Sequence, residues 1–173
     1  PDKLSFDLAL NEIALLAPAL DGRLTGKGSL TGPFDRLQAK LDVQGRDLQW
    51  QTQDQRYRLA RLELTAAAPL ITSFVAADAF DLKLRARRIE AAGQLIDELT
   101  VDLGGRIGEH VLQTGVQTRG QRVGLKASGG LVVDKLRWDG ALTDLRVSGD
   151  LPVRLTRRAD LSVSAKAASL SGL

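Results

Sequence analysis

Phe80-Asp-Leu-Lys-Leu-Arg-Ala-Arg87 (FDLKLRAR) alternates apolar and charged residues without a break. Successive side chains of a β-strand point to opposite faces, so this run predicts a strand with one apolar face and one wet face. The same period runs outward in both directions. Leu37, Ala39, Leu41 and Val43 alternate with Gln38, Lys40, Asp42 and Gln44. Leu99, Val101 and Leu103 enclose Thr100 and Asp102, and Leu161, Val163 and Ala165 enclose Ser162 and Ser164. The pattern predicts about eleven strands separated by glycine- and aspartate-rich breaks such as Gly45-Arg46-Asp47, Gly104-Gly105 and Gly129-Gly130.

Two stretches have helical features. Asn11 to Leu20 (NEIALLAPAL) has Ile13, Leu16 and Leu20 at helical spacing and could hold a short helix before Pro18. Arg88 to Leu99 has helical composition, but Gly93 would cost a helix roughly 1 kcal/mol relative to alanine, and it reads better as two strands joined around Ala92-Gly93. With no helices of ten to fifteen residues between the strands, parallel βα units are excluded and sequential antiparallel pairing is expected. Gly22, Gly26, Gly28 and Gly32 share the parity of Leu20, Leu24 and Leu30, which puts glycine on the apolar face, as a sharply curled sheet needs.

Composition narrows the chemistry. The chain has 173 residues and a net charge of +3, with 26% charged residues of both signs. Hydrophobic residues make up 43% but aromatic ones only 4%, so the apolar side is almost all aliphatic. Too few rings are present to stack bases, and acidic residues interrupt the basic ones, which excludes nucleic acid as a partner. There is no cysteine, hence no disulfide, thiol nucleophile or cysteine-ligated metal. No apolar run approaches the ~20 residues of a membrane-spanning helix, and the N-terminus lacks the layout of a signal peptide, so the chain reads as an excised piece and any export signal or anchor is expected outside it.

Motifs for catalysis are missing. His110 is the single histidine and reads as a surface or turn residue. Gly26-x-Gly28 lacks the third glycine and following helix of a phosphate loop, and Glu90 and Glu98 form no readable pair. The expectation is a non-enzyme with no cofactor and no metal. The clusters Arg85/Arg87/Arg88 and Arg154/Arg157/Arg158 read as solvated outer faces and strand ends rather than contacts to anionic lipid headgroups.

The order of local patterns is more specific than composition. LDGRLTGKGSLTGPFDRLQAKLDVQGRDLQW (Leu20 to Trp50) runs apolar-x-Gly-x-apolar, then Gly-Pro, then an alternating strand. It resembles the repeats of the AsmA-like and TamB family. The stretch from Gly93 resembles a TamB unit with its Gly-x-x-x-His-x-Leu strand at Gly105 to Leu112, with one extra residue. RWDGALTDLRVSG (Arg137 to Gly149) is similar to the Trp-x-Gly-x-Leu-x-x-Leu segment that follows, and ADLSVSAKAASLSGL closes the pattern. The resemblance is densest from Ala79 onward. It implies a curled antiparallel sheet (a β-taco or half-pipe) in the periplasm of a Gram-negative bacterium, an upstream inner-membrane anchor, and a downstream domain that meets an outer-membrane partner of the TamA type.

Physical reasoning gives the apolar face a task. A sheet apolar on one face must close into a barrel, pack on a second sheet, or curl around something that is not protein. Residues 1–173 are expected to be one section of a longer β-groove. At ~4.8 Å per strand, about eleven strands make a trough on the order of 50 Å long. Its expected lining for phospholipid acyl chains is Leu41, Val43, Leu62, Leu64, Leu82, Leu84, Leu99, Val101, Leu103, Leu112, Leu125, Leu142, Leu145, Val147, Leu161 and Val163. Each buried methylene contributes about 0.8 kcal/mol, so tails need no residue-specific hydrogen bond. The leading expectation is a section of a lipid conduit between the membranes. The alternatives are a scaffold for outer-membrane β-proteins acting through exposed sheet edges, and a self-contained β-sandwich. Cut edges also predict end-to-end association of such sections.

Overall fold

The structure is a computed structural model that describes residues 3–10, 19–33, 36–52, 55–70, 77–91, 93–150, 152–165 and 167–172. The alternating runs become one antiparallel sheet of 12 strands. These are β1 (Lys3–Leu10), β2 (Leu20–Thr31), β3 (Leu37–Gln51), β4 (Arg56–Leu70), β5 (Ala79–Ala91), β6 (Gln94–Arg106), β7 (Glu109–Thr118), β8 (Gln121–Val132), β9 (Arg137–Ser148), β10 (Val153–Arg154), β11 (Ala159–Ser164) and β12 (Ala168–Ser171). Every strand from β1 to β9 pairs with its neighbours in sequence. β10 and β11 both lie against β9, at Val153↔Val147 and Ala159↔Leu142, and behave as one interrupted strand. With those two joined, the count agrees with the eleven or so expected from alternation.

The sheet is a single open layer. Among the described residues β1 and β12 have no outer partner, so neither a closed barrel nor a second sheet forms. The accessible surface is 12325 Å². A compact chain of this length would expose about 8,200 Å² by the usual scaling with mass. Among the described residues the buried hydrophobic ones are Ala86, Ile107, Ala127, Ala141 and Ala159, and no large side chain is fully buried. The strands are therefore held by their ladders and by neighbours on the same face rather than by a core between layers.

A row of charges on the polar face helps hold the register. It runs from Asp7 through Lys27, Asp42, Thr65, Lys83, Asp102, Gln113 and Lys126 to Asp144, each opposite the next. Opposite charges alternate along it, and an uncharged Thr or Gln stands where the alternation would otherwise fail. Cross-strand pairs of this kind contribute roughly 0.2–1 kcal/mol each, and a one-residue slip would bring each strand's apolar residues to the wrong face.

The second organising feature is a crease. In β3, Asp47 has φ 52°, and in β5, Arg88 has φ 53°, both in the left-handed region. Register places Asp47, Ala60, Arg88 and Asp97 in one line across β3 to β6, bounded by register shifts at Gly22 and at Asp97. An extra residue in a strand reverses its in-out parity and bends it. Here the extra residues are aligned, so apolar spacing becomes three across the crease in every strand: Gly45/Leu48, Leu59/Leu62, Ala86/Ile89 and Ile96/Leu99. A Cβ on Gly45 would meet Leu48 Cδ1 at 2.7 Å and Leu62 Cβ at 3.1 Å, which places Leu48 on the same face as Leu62 despite its changed parity. A further shift in β9, beside Thr143, sets Leu142 and Leu145 on one face in the same way.

Several sequence expectations change. Gly45-Arg46-Asp47, Gly104-Gly105 and Gly129-Gly130 lie inside β3, β6 and β8, not between strands. The first adjoins the crease, and the others are positions where another chain segment or ring comes close. The turn between β5 and β6 falls where expected, with Gly93 at φ 77°. Residues 11–18, where a short helix was expected, lie outside the described residues. Leu20, the last residue of that stretch, opens β2.

Gly130 and Gly124 differ in what surrounds them. A Cβ on Gly130 would run into the Gly108 carbonyl, whereas one on Gly124 meets nothing within 4 Å. Gly130→Ala is expected to destabilise the chain by about 1–3 kcal/mol, the usual cost of overpacking, with Gly124→Ala near neutral. Urea denaturation of both variants measures the difference, and equal midpoints would refute the close approach.

Candidate functional site

The apolar face is the surface that the fold leaves uncovered. The register arranges its residues in rows perpendicular to the strands. One row reads Phe6, Gly28, Leu41, Ala66, Leu82, Leu103, Leu112, Ala127, Leu142 and Ala159. The next reads Leu8, Gly26, Val43, Leu64, Leu84, Val101, Thr114, Leu125 and Leu145. A third carries Leu10, Leu24, Gly45, Leu62, Ala86, Leu99, Val116, Val123 and Val147, with Val153 beyond. Leu161 pairs with Gly140, and Val163 with Trp138, on the same face. All the leucines and valines expected to line the face thus share one side of the sheet. The rows hold Leu, Val, Ala and Gly almost throughout, with Thr114 the one hydroxyl-bearing side chain in the three rows above.

Sequence reasoning missed the aromatic end of this face. Phe80, His110 and Trp138 gather where β5, β7 and β9 begin, with Ala68, Pro69, Leu103, Ile107 and Leu131 around a cavity of about 410 Å³. Phe80 and His110 meet edge to face with centroids 5.4 Å apart. Trp138 Nε1 donates to His110 Nε2 at 2.8 Å. His110 Nδ1 lies 3.1 Å from the Arg106 carbonyl and 3.2 Å from that of Ile107. Carbonyls can only accept, and the Trp138 N–H needs an acceptor, so these partners put a ring proton on Nδ1 and leave Nε2 to accept. His110 is a strand residue on the apolar face rather than a turn residue, and its free lone pair is already used. Beneath the indole, Cβ atoms on Gly129 and Gly140 would meet the ring at 2.6 Å and 2.5 Å. The glycines let the ring lie on the sheet. The available signal was their shared row with Gly105 and His110.

Beyond the crease, Trp50 stacks on Tyr57 at 4.6 Å between centroids. The parity change hides this pair from a reading that extends the alternation of Leu37 to Val43.

Ion pairs span part of the polar face. Glu98 receives Arg85 at 3.0 Å and Arg87 at 3.2 Å, and Glu90 receives Arg58 at 3.5 Å. The carboxylates that sequence left scattered are thus partners of arginine. Among the described residues no group of His, Asp and Glu is placed to hold a metal ion, and no helix is long and apolar enough to cross a membrane.

An open, curled antiparallel sheet with one continuous apolar face places the chain in the all-β class of single-layer sheets. The chain belongs to the TamB family: it matches the family described as TamB, N-terminal domain, over residues 2–171. No solved structure matches it. TamB proteins belong to the bacterial envelope, are not an enzyme family, and act in outer-membrane protein assembly or lipid transport.

The last hairpin of the sheet is fastened to β9 on the polar side. Arg137 donates to both oxygens of Asp139, at 2.6 to 2.9 Å, and the Ser162 hydroxyl on β11 donates to Asp139 Oδ1 at 2.7 Å. The Arg137 hydrogen bonds first, and then that of Ser162, hold the Asp139 carboxyl below its ordinary range. A depressed carboxylate contributes stability above its unfolded value, and that contribution is lost as pH falls through the folded value. Asp139→Asn should therefore lower the melting temperature at neutral pH and narrow its gap to the parent below about pH 4, the unfolded carboxylate range. Thermal melts across that range check this, and a gap independent of pH would refute the clamp.

Proposed function

We propose that this chain is a section of a periplasmic conduit that carries phospholipid between the inner and outer membranes of a Gram-negative envelope. Acyl chains slide along the apolar face while headgroups stay in water. On this reading a segment outside the chain tethers the conduit to the inner membrane, and another region meets an outer-membrane partner of the TamA type. The supporting observation is the set of mainly aliphatic rows, crossing β1 to β9, against which no second layer of the described chain packs. Leu41 is 37% exposed in mid-sheet, and Leu4 and Phe6 near the edge are 62% and 45% exposed. Uncovered apolar surface on this scale marks an interaction site. Small and aliphatic lining suits a fluid guest, because its affinity grows with the number of buried methylenes rather than with fixed polar contacts.

The unpaired β1 edge favours a second reading. Its backbone and exposed Leu4, Phe6 and Leu8 would template a client strand, as expected of a scaffold for outer-membrane β-barrels or autotransporters. The same edge would let sections of this kind join end to end.

Native mass spectrometry with lipid extraction, on chain purified from bacteria, separates the two. The conduit predicts co-purifying phospholipid that is mostly lost in Leu84→Lys and Val101→Lys and retained in Lys83→Ala, with circular dichroism confirming a folded sheet in each. Equal retention in all variants, or folded lipid-free parent, would overturn it. Photocrosslinks from β1 backbone positions to client strands, without lipid, would support the scaffold.

A further inference from the structure

The polar face carries one row that breaks the rule of alternating charge. Arg23 lies opposite Arg46, Arg46 opposite Arg61, and Arg61 opposite Arg87. Four arginines on successive strands therefore face one another along a line about 15 Å long, at the ~4.8 Å spacing of strands. Like charges placed directly opposite destabilise a sheet. Two rows away, the fold meets the same problem with alternating Asp and Lys.

Within this row Arg87 is neutralised by Glu98, at 3.2 Å, a carboxylate it shares with Arg85. Arg23, Arg46 and Arg61 are exposed, and none has an ion pair or side-chain hydrogen bond among the described residues. Asp21 and Glu63 stand two residues from Arg23 and Arg61 along their strands but do not pair with them. Asp21 instead accepts from the Gly22 amide at 2.7 Å.

The row also borders the crease. Asp47 follows Arg46, and Arg88 follows Arg87, each in a left-handed conformation that residues with side chains avoid. Strain of this kind persists where the surroundings over-determine it, and it clusters at functional sites. Here two strained residues adjoin a line of three unpaired cations that lies on the face opposite the aliphatic rows.

We propose that Arg23, Arg46 and Arg61 form a strip that binds the phosphate headgroups of an anionic bilayer surface. The guanidinium fork matches phosphate oxygens bidentately, and several phosphates presented together would relieve the repulsion along the row. The strip lies open on a sheet face, and no cavity described above encloses it. An array of anions at a surface therefore suits it better than a single soluble one. This inference is independent of what occupies the apolar face.

The test is binding of the chain to phosphatidylcholine vesicles with and without phosphatidylglycerol. Binding to pure phosphatidylcholine, which the apolar face alone can support, is the baseline. The anionic increment should fall about fivefold for Arg46→Gln and about a hundredfold when Arg23, Arg46 and Arg61 are all replaced by Gln, and it should weaken with salt. Arg46→Lys, which keeps the charge but loses the bidentate fork, should retain only part of it. A control replacing Arg146, Arg154 and Arg158 by Gln removes the same charge elsewhere and should keep the increment. Because the row repels itself, the triple variant should melt no lower than the parent. If it fails to fold, the single Arg46→Gln carries the test. Equal loss in the control would reduce the effect to net charge and overturn the proposal. So would absence of an anionic increment, or saturation of the row by inorganic pyrophosphate at concentrations below those of lipid phosphate.

Discussion

Keeping one face apolar across every strand is the constraint from which the rest of this structure follows. A single-layer sheet has no second layer to absorb an error of register, so one slipped strand would cut the apolar surface in two. The alternating Asp and Lys row penalises slippage from the polar side. The crease, where a pure two-residue period would carry apolar residues to the wrong face, restores them by inserting a residue in each strand at the same level. Ile89 and Ile96 face the same way as Ala86 and Leu99 only because Arg88 and Asp97 intervene.

Glycine and alanine complete this arrangement by bringing elements close. Phe6 covers Gly28, Trp138 lies over Gly129 and Gly140, and Gly130 receives the turn at Gly108. The buried residues are small because only small side chains are covered by their neighbours in a one-layer sheet, whereas leucines remain partly exposed. Described aromatic residues collect at the margins, as the Trp50–Tyr57 stack beyond the crease and as Phe80, His110 and Trp138 at the strand ends.

Much of this was legible in the sequence, because alternation is a local property that each strand carries by itself. The runs through Leu82, Val101 and Leu161 placed their residues on one face without any knowledge of pairing. What stayed hidden depends on two or more strands. The crease is four unremarkable i, i+3 spacings until register lines them up, and Gly45-Arg46-Asp47 resembles a turn when read alone. The site of His110 needs Trp138, 28 residues away. The arginine row is likewise invisible in one dimension, since Arg23, Arg46, Arg61 and Arg87 become neighbours only through antiparallel pairing.

From β1 to β8 each strand shares its backbone ladder only with the strands before and after it in sequence. A ladder of this kind can be lengthened by whole hairpins: two strands added together return the chain to the edge it left and keep the polarity of the Asp–Lys row, while a single added strand would reverse both. Growth by duplication would therefore proceed in even steps, and the reach of such a protein is a quantity that its gene can adjust without redesigning any existing interface.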